Sequence, residues 1–225
     1  VVAVMSTVLP GTVRREIKPI LNEWTPLAYN PAFPAMGSAI ADFENPEFVL
    51  LGVDDPEAAR LVRDYYEAFI SAPVVEMSVD SAEATKVFYN SAITGKIQLA
   101  NTWMEMAHRL NQHGGTVNVD DVSRALSMAT KRVVSPYYMS GGMGDGGNCH
   151  PRDGIALSWL SRQLGMTYDF FGDLMRIREE QTEWLARTVV EAAREHRLDR
   201  IVILGRAYKA GTSLVNGSCA TLLKN

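Results

Sequence analysis

One uninterrupted stretch constrains the fold of this chain more than any other. Residues 81–113 contain no proline and a single glycine, Gly95. Apolar side chains recur through the stretch at helical spacing, at positions 84, 87, 88, 92, 97, 99, 103, 104, 106, 107 and 110. Because helix breakers are absent and the apolar positions are many, the stretch predicts one long helix that is buried on more than one side.

Short apolar runs alternate with helical patterns before this helix. Three runs rich in β-branched residues are typical of buried strands: 1–8, 47–53 and 74–79. In both intervals between these three runs, apolar residues recur at helical spacing. Asp54 or Asp55 caps the second of these helices, and Pro56 lies in its first turn. Strands separated by helices predict an α/β fold with a parallel sheet covered by helices.

The remainder of the chain is predicted to be helical until one last strand. Helices are expected at 119–131, 151–165 and 170–197, and an apolar strand at 200–205. The order is therefore α/β, then all-helical, then the first strand of a second α/β unit. Because the chain starts within a strand and stops within a helix, we expect it to be an internal piece of a longer protein.

Composition excludes several classes of function. The formal net charge is −4, and neither lysine nor arginine clusters into a run, so we expect no nucleic-acid partner. No apolar stretch approaches the roughly 20 residues of a membrane span, and we expect no membrane partner. Cys149 and Cys219 have neither metal-ligand nor disulfide spacing. These features predict a cytoplasmic protein without a metal site.

The stretch GGMGDGGNCHPRD, residues 141–153, admits two interpretations. It contains the G-x-G-x-x-G of a dinucleotide-binding turn, but Pro136 interrupts the preceding residues and no acid lies near position 165 except Asp169. The second interpretation is a glycine-rich segment that places Cys149 at a helix N-terminus. There the free N–H groups and the helix dipole favour a thiolate, so Cys149 becomes a candidate nucleophile.

Motifs along nearly the whole chain resemble those of the UDP-glucose/GDP-mannose dehydrogenase family. The cysteine segment resembles the family pattern GxGxGGSCFPKD. Four further segments resemble family patterns in the same order: MSTVLPGT, YNPAFPAMGSAIADF, AEATKVFYNSAITGKIQLAN and GRAYKAGTSLVNGS. The resemblance implies oxidation of the 6-hydroxymethyl group of a nucleotide sugar to a carboxylate with two NAD. The motifs do not identify the sugar, and a UDP-glucose-like substrate is our expectation.

The same resemblance implies a role for each matching residue. Cys149 forms a thiohemiacetal with the aldehyde and then a thioester, which water hydrolyses. Lys86 and Asn90, four apart on one helix face, stabilise the alkoxide and the oxyanion. Asp153 orients a water or takes a proton, and Thr7 helps to hold that water. Further residues are implied in binding: Arg132, Gly142, Gly146 and Lys209 for the substrate, Thr7 and Arg152 for the cofactor.

The resemblance also implies a domain organisation and an assembly. Residues 1–80 correspond to the C-terminal half of a Rossmann-like NAD-binding domain. Residues 81–165 form a central helical domain for dimerisation and catalysis. Residues 166–225 form a linking helix and the start of a nucleotide-sugar-binding α/β domain. The helix at 81–113 is expected to join two copies into a homodimer.

The sequence departs from the family pattern at positions of chemical importance. Two family glutamates, one implicated in activating the hydrolytic water, are Ala32 and Met36 here. A family aspartate and an arginine that helps to hold NAD are Leu214 and Asn216. Two alternatives to full activity therefore stay open: an enzyme with impaired thioester hydrolysis, and a non-catalytic nucleotide-sugar-binding homologue.

Other reactive side chains are interpreted as structural. Cys219 is expected in the core, and three histidines, His108, His113 and His196, are expected in solvent. His150 adjoins the nucleophile, so a Cys–His hydrolase is possible in principle. Adjacent residues at a helix start point in different directions, which argues against that pairing.

Overall fold

A computed structural model describes residues 1–35, 37–138, 141–142, 144–145, 149–207, 211 and 213–224. The chain divides into two compact units, Val1–Ile97 and Gln98–Asn225. The first unit is α/β and the second is helical. Together with the long helix, this agrees with the predicted fold class.

The first unit contains a four-stranded sheet in the order β1-β2-β3-β4. The strands are β1 Val2–Val4, β2 Leu27–Tyr29, β3 Val49–Val53 and β4 Val74–Met77. β1 pairs with β2 in parallel, and β3 pairs with β4 in parallel. β2 and β3 run antiparallel, with Ala28 opposite Val53. The sheet is therefore mixed rather than wholly parallel, because β2, which was not predicted, reverses the direction between β1 and β3.

The three predicted strands are present, but the first is not buried as expected. β1 lies at the edge of the sheet, and Val2 and Ala3 are exposed. An edge strand has a neighbour on one side only, which leaves its side chains less covered. By contrast, Val49, Leu50, Leu51 and Gly52 of the central β3 are all buried.

Two helical layers cover opposite faces of the sheet. Val49 and Leu51 pack with Ala58, Val62 and Tyr66 of α2, Pro56–Glu67. Leu50, which alternates with them along β3, packs with Val13, Tyr29, Val79 and Ala82. Asp55 caps α2 by accepting a hydrogen bond from the Glu57 N–H at 2.9 Å, which is one of the two caps predicted.

Between β1 and β2 the chain forms two short helical turns instead of the predicted regular helix. Val13–Ile17 is a π-helical turn and Lys18–Ile20 is a 3-10 turn. Pro19 has no N–H to donate, which prevents continuation of a regular helix through this point. A short helix, α1 Ala39–Glu44, follows β2.

The predicted long helix is α3, Val79–Gln112. Its start is deeply buried, because Val79, Ala82 and Glu83 pack beneath the sheet. Residues 91–98 are all exposed, so the expectation of burial on more than one side is wrong for the middle of the helix. Gly52 of β3 permits the packing of the helix start, since a Cβ there would lie 2.6 Å from the Ala82 Cβ and 3.1 Å from the Val79 Cα.

The second unit consists of helices. After the end of α3 come α4 Val119–Ser127, α5 Cys149–Gln163, α6 Phe170–Glu195 and α7 Cys219–Lys224. Asp169 caps α6 through the Gly172 N–H and also accepts a hydrogen bond from the Ser158 hydroxyl of α5 at 2.7 Å. Along the described part of the chain, no helix has the length and apolar character needed to cross a membrane.

The predicted strand at 200–205 is absent. These residues form no regular structure, and Ile201, Val202 and Leu204 are exposed. A strand requires a neighbour that completes its hydrogen bonds, and the described residues provide none at this point.

Candidate functional site

The first unit contains three of the candidate residues: Thr7, Lys86 and Asn90. Thr7 is exposed in the turn that follows β1. The buried carboxylate of Glu83 accepts hydrogen bonds from the N–H groups of Gly11 and Val13, the second at 2.7 Å. The turn after β1 is thereby attached to α3 one helical turn before Lys86. Sequence reasoning missed Glu83, whose partners lie about seventy residues away along the chain.

Lys86 is a buried amine rather than a solvated surface lysine. Lys86 is only 8% exposed, and its Nζ donates a hydrogen bond to the Ala32 carbonyl oxygen at 2.7 Å. Nζ also lies 4.5 Å from the centre of the Phe33 ring, in a cation–π contact. Burial lowers the pKa of Lys86, because the charged ammonium loses hydration. An amine of this kind is a stronger proton donor than an ordinary lysine.

Asn90 lies one turn further along α3 and is exposed. Its backbone carbonyl accepts a hydrogen bond from the Thr94 hydroxyl at 3.1 Å. Lys86 and Asn90 therefore share the helix face that their spacing predicts, but they differ in burial. The amine is held by the fold, whereas the amide side chain remains accessible.

The segment after β2 encloses a cavity of about 400 Å³ within the first unit. Its lining combines aromatic and polar side chains, including Phe33, Asp42, Phe48, Tyr66 and Tyr89. Asp42 accepts hydrogen bonds from the Ala35 N–H at 2.8 Å and the Ser38 hydroxyl at 2.7 Å. These two donors, the Ala35 N–H first, lower the pKa of Asp42. Asp42 therefore fixes the local backbone.

The second unit contains a separate cavity of about 390 Å³ beside the start of α5. Its polar lining is Asp145, Cys149, His150 and Asp153. Its apolar lining comes from α5 and α6: Gly154, Leu157, Phe171, Leu174 and Met175. Cys149 is the first residue of α5, as predicted, and is exposed. Cys149 and His150 both line the cavity. Because the two residues are adjacent at a helix start, their side chains were predicted to point in different directions.

Asp153 is paired with its neighbour. Arg152 Nε donates a hydrogen bond to Asp153 Oδ1 at 2.9 Å. This bond is the main cause of a lowered pKa of Asp153. The resemblance assigns the Asp153 carboxylate to the water and the Arg152 guanidinium to the cofactor. In the structure these two groups bind each other through Asp153 Oδ1.

An arginine of α6, which sequence reasoning missed, holds Asp145 in place. The Arg178 side chain of α6 is 10% exposed, and its Nε donates to Asp145 Oδ1 at 2.7 Å. Arg178 also donates to the backbone carbonyls of Asp145 and Gly217. The second carboxylate oxygen, Asp145 Oδ2, lies 3.5 Å from His150 Nδ1. Asp145 therefore connects α6, the segment before Cys149 and the imidazole next to it.

Gly144 lies in close contact with α7. A Cβ there would lie 3.2 Å from Cys219 Sγ. Cys219 is buried, as predicted, and donates to the Asp145 carbonyl at 3.2 Å. Residues 130–138 before this segment form turns and bends rather than a strand. The dinucleotide interpretation of these glycines therefore lacks the strand that it requires.

The remaining assigned residues fall into two groups. Arg132 and Gly142 are both exposed, and the Arg132 N–H donates to the Ala129 carbonyl at 3.3 Å in a turn after α4. Gly146, Lys209 and Met36 lie outside the described residues. Three histidines are exposed as predicted: His108, His113 and His196. Within the described ranges, no cluster of His, Cys, Asp or Glu is arranged to hold a metal ion.

Comparison with known proteins gives matches along most of the chain. Residues 1–70 match the NAD binding domain of the UDP-glucose/GDP-mannose dehydrogenase family, and residues 80–180 match its central domain. A GDP-mannose 6-dehydrogenase of Pseudomonas aeruginosa is 28% identical over 219 residues, covering 94% of this chain and 48% of the relative. A UDP-glucose 6-dehydrogenase of Rickettsia conorii is 27% identical over 222 residues, covering 97% and 50%.

A solved structure is also similar to nearly the whole chain. It is a ternary complex of GDP-mannose dehydrogenase from Pseudomonas aeruginosa, with a TM-score of 0.89 and 27% sequence identity. The similarity covers 99% of this chain and 50% of that one. The chain thus spans about half the length of the curated relatives that it matches.

Proposed function

The chain belongs to the UDP-glucose/GDP-mannose dehydrogenase family, and we propose that the protein oxidises the 6-hydroxymethyl group of a nucleotide sugar to a carboxylate. NAD is the cofactor that the match to the family's NAD binding domain indicates, and when bound it accepts the hydrides removed from the sugar. One observation carries the proposal: Cys149 begins α5 and lines a cavity together with His150 and Asp153.

The residues present fit an NAD site only in part. The turn after β1 exposes the Thr7 hydroxyl at the carboxyl end of a strand, where ligands bind in open α/β sheets. The Arg152 side chain is 68% exposed, so its guanidinium can face an anionic group while Nε binds Asp153. Thr7 and Arg152 are accordingly our candidates for cofactor contacts from this chain.

In the proposed reaction, Cys149 Sγ adds to the C6 aldehyde produced by the first oxidation. The resulting thiohemiacetal loses a second hydride to give a thioester, which water hydrolyses to the carboxylate and the free thiol. Lys86 and Asn90 stabilise the oxygen that becomes negative during these steps. The lowered pKa of Lys86 supports its part, because a strong proton donor stabilises an oxyanion well. Asp153 and Thr7 are the assigned partners of the water.

Substrate contacts are proposed at Arg132, Gly142, Gly146 and Lys209. The nucleotide sugar that we favour is UDP-glucose or a sugar of that type. Relatives named for GDP-mannose and for UDP-glucose match at nearly equal identity, 28% and 27%, so both substrates belong in the test.

We further propose a cytoplasmic homodimer joined through the 81–113 helix. Ile93, Ile97 and Met104 are 43%, 52% and 54% exposed, and their spacing places them on one face of α3. A second copy of the chain would cover this apolar face. Both cysteines are free, which supports a reducing compartment. The net charge of −4 supports the expectation of no nucleic-acid partner.

The proposed domain boundaries are 1–80, 81–165 and 166–225. The family's NAD binding domain matches residues 1–70 and its central domain matches 80–180, which supports the first boundary. The boundary near 165 rests on sequence pattern alone.

A specific observation keeps an alternative open. Lys86 Nζ binds the backbone carbonyl of Ala32, where the family pattern has a glutamate. An enzyme without that acid can complete both oxidations and then hydrolyse the thioester slowly. It would accumulate acyl-enzyme on Cys149, which an intact-mass spectrum taken during turnover would detect.

The first test is NADH formation by the longest reading frame that contains this sequence, with NAD and a panel of UDP- and GDP-sugars. Two NADH per sugar consumed are expected, and the most rapidly oxidised sugar identifies the substrate. Cys149→Ser should not support steady two-NADH turnover, whereas Cys219→Ser, at the buried cysteine, serves as the matched control. Unchanged two-NADH turnover in Cys149→Ser would overturn the proposal. Absence of NADH with every sugar would favour the non-catalytic homologue.

A further inference from the structure

The second unit raises a question about which group activates the hydrolytic water. Ala32 and Met36 supply no carboxylate where the family pattern has glutamates. Asp153 is hydrogen-bonded by Arg152, and that bond lowers the pKa of Asp153. A carboxylate stabilised in this way accepts a proton from water poorly. Besides the carboxylates of Asp145 and Asp153, the described residues that line the cavity beside Cys149 include one imidazole, that of His150.

His150 lies next to a carboxylate whose position is fixed. Its Nδ1 is 3.5 Å from Asp145 Oδ2, while Asp145 Oδ1 accepts a hydrogen bond from Arg178 at 2.7 Å. Because the Arg178 side chain is only 10% exposed and also binds the backbone carbonyl of Asp145, the carboxylate cannot easily turn away. The 3.5 Å separation is longer than a hydrogen bond, and a small rotation of the imidazole lets Nδ1–H donate to this carboxylate. In that arrangement the proton is on Nδ1 and Nε2 is the proton acceptor.

We propose that His150 is the general base for hydrolysis of the Cys149 thioester and that Asp145 is its positioning residue. The inference rests on the proposed function and adds to it a residue and a step. His150 is accessible to water and substrate, since its side chain is 69% exposed. Imidazole is the most frequent general base in enzymes. The pair thus supplies base chemistry that Ala32 and Met36 cannot provide.

The step requires only water as co-reactant. His150 Nε2 accepts one proton from the water. At the same time the water oxygen forms a bond to the acyl carbon of the thioester. The resulting tetrahedral species breaks its carbon–sulfur bond, and that electron pair goes to Cys149 Sγ. The sugar leaves as a carboxylate, and the two protons of water are distributed between His150, Cys149 and solvent. No atom is oxidised or reduced.

His150→Ala in the longest reading frame tests the inference with NAD and the sugar that the wild-type protein oxidises. We expect a rapid burst of two NADH per Cys149, followed by turnover that is slower by roughly 10² to 10⁴-fold. An intact-mass spectrum should show the acyl adduct on Cys149 during the slow phase. Added imidazole should restore turnover, because a small base can enter the vacated space. His196→Ala, at an exposed histidine of the same unit, should behave as wild type.

Two further variants keep the result interpretable. His150→Gln retains a polar side chain and should show the same burst and adduct if His150→Ala folds poorly. Asp145→Asn preserves the shape that Arg178 binds; we expect a retained burst, a smaller reduction in turnover and an unchanged KM for the sugar. If Asp145 had only a structural role, Asp145→Asn would not accumulate an acyl adduct on Cys149 when the sugar is added.

The outcomes separate this inference from the proposed function. If wild-type protein forms no NADH with any sugar, the proposed function fails. If wild-type protein turns over steadily and His150→Ala does so at the same rate without an adduct, only the role of His150 fails. If wild-type protein itself stalls after two NADH per Cys149, His150 supplies no effective base, and the inference is again overturned.

Discussion

Two helix starts carry the candidate chemistry, and they are built in opposite ways. At the start of α3, Glu83 and Lys86 are 0% and 8% exposed, and their partners are backbone groups of distant segments. At the start of α5, Cys149, Arg152 and Asp153 are exposed, and the polar pairing is between neighbouring side chains. Buried polar groups must be satisfied by fixed partners, whereas exposed groups can exchange partners with water at little cost.

The two regions therefore differ in how far their candidate residues belong to the fold. Lys86 is part of the structure of the first unit as well as a candidate for catalysis. Cys149 and Asp153 are candidates for catalysis whose exposed side chains contribute little to the packing of their unit. Substitutions at α3 should therefore affect stability and function together, whereas substitutions at α5 should affect function alone.

The largest effect on stability is expected from Glu83→Ala. The change leaves the N–H groups of Gly11 and Val13 without their acceptor, at about 1–3 kcal/mol for each buried donor. We expect the free energy of unfolding to fall by about 2–6 kcal/mol, measured as a shift in the urea midpoint. Glu83→Gln, which retains one acceptor oxygen, is the control and should lose less. An unchanged midpoint in Glu83→Ala would contradict the role of this side chain in the fold.

A smaller loss is expected from Gly52→Ala. The added methyl would lie 2.6 Å from Ala82 Cβ and 3.1 Å from Val79 Cα, so the sheet and the start of α3 must separate. Overpacking of this kind costs about 1–3 kcal/mol in the free energy of unfolding. Gly95→Ala is the matched control, because nothing lies within 4 Å of the added methyl there. Alanine is the better helix former, so Gly95→Ala should raise stability by up to about 1 kcal/mol. Destabilisation by both changes would reject the packing argument.

The next effect depends on pH and concerns Lys86. Burial lowers its pKa in the folded protein below the ordinary value of 10.5, so the unfolded chain binds the proton more tightly. Below the pKa of Lys86 in the folded protein, burial of the charged ammonium lowers the free energy of unfolding by its full amount. This loss is relieved as pH rises through that pKa. Wild-type protein should therefore gain stability relative to Lys86→Met as pH rises from neutral toward the ordinary lysine value of 10.5. Urea unfolding of both proteins across that range measures the difference. Parallel curves would mean that the amine is not desolvated.

The smallest effect on stability is expected from Asp153→Ala. The carboxylate is exposed and pairs only with the adjacent exposed Arg152, so the unfolding midpoint should stay within error of wild type. Any change should appear in turnover, measured as NADH formation by the full reading frame. A large loss of stability would break the contrast between the two helix starts.

Sequence patterns predicted those parts of the molecule whose cause is local. The spacing of apolar residues and the absence of proline gave α3 nearly its observed ends, Val79 and Gln112. The cap of α2 was narrowed to Asp54 or Asp55, because a capping side chain binds a backbone N–H only two or three positions away, and Asp55 is the one that accepts from Glu57. The position of Cys149 at the start of α5 followed from Pro151 and the glycines before it.

The features that sequence patterns missed depend on distant partners. β2 has three residues, too short for a period to be visible, and its antiparallel pairing with β3 depends on tertiary contacts. Glu83 meets Gly11 across 72 residues, and Arg178 meets Asp145 across 33. The run at 200–205 has strand propensity but no neighbouring strand among the described residues. Local propensity cannot supply the partner that such an element needs.

The contacts of Arg178 also set an order of events during synthesis of the chain. Asp145 is synthesised 33 residues before Arg178, and Gly217 follows 39 residues after it. Chains are synthesised at roughly 5–20 residues per second, so Asp145 is made about 2–7 s before the Arg178 guanidinium that binds it. The complete set of contacts forms only after Gly217 has been added. The candidate nucleophile is thus made early and its surroundings are completed late, so a nascent chain that already contains Cys149 cannot yet hold it in its final environment.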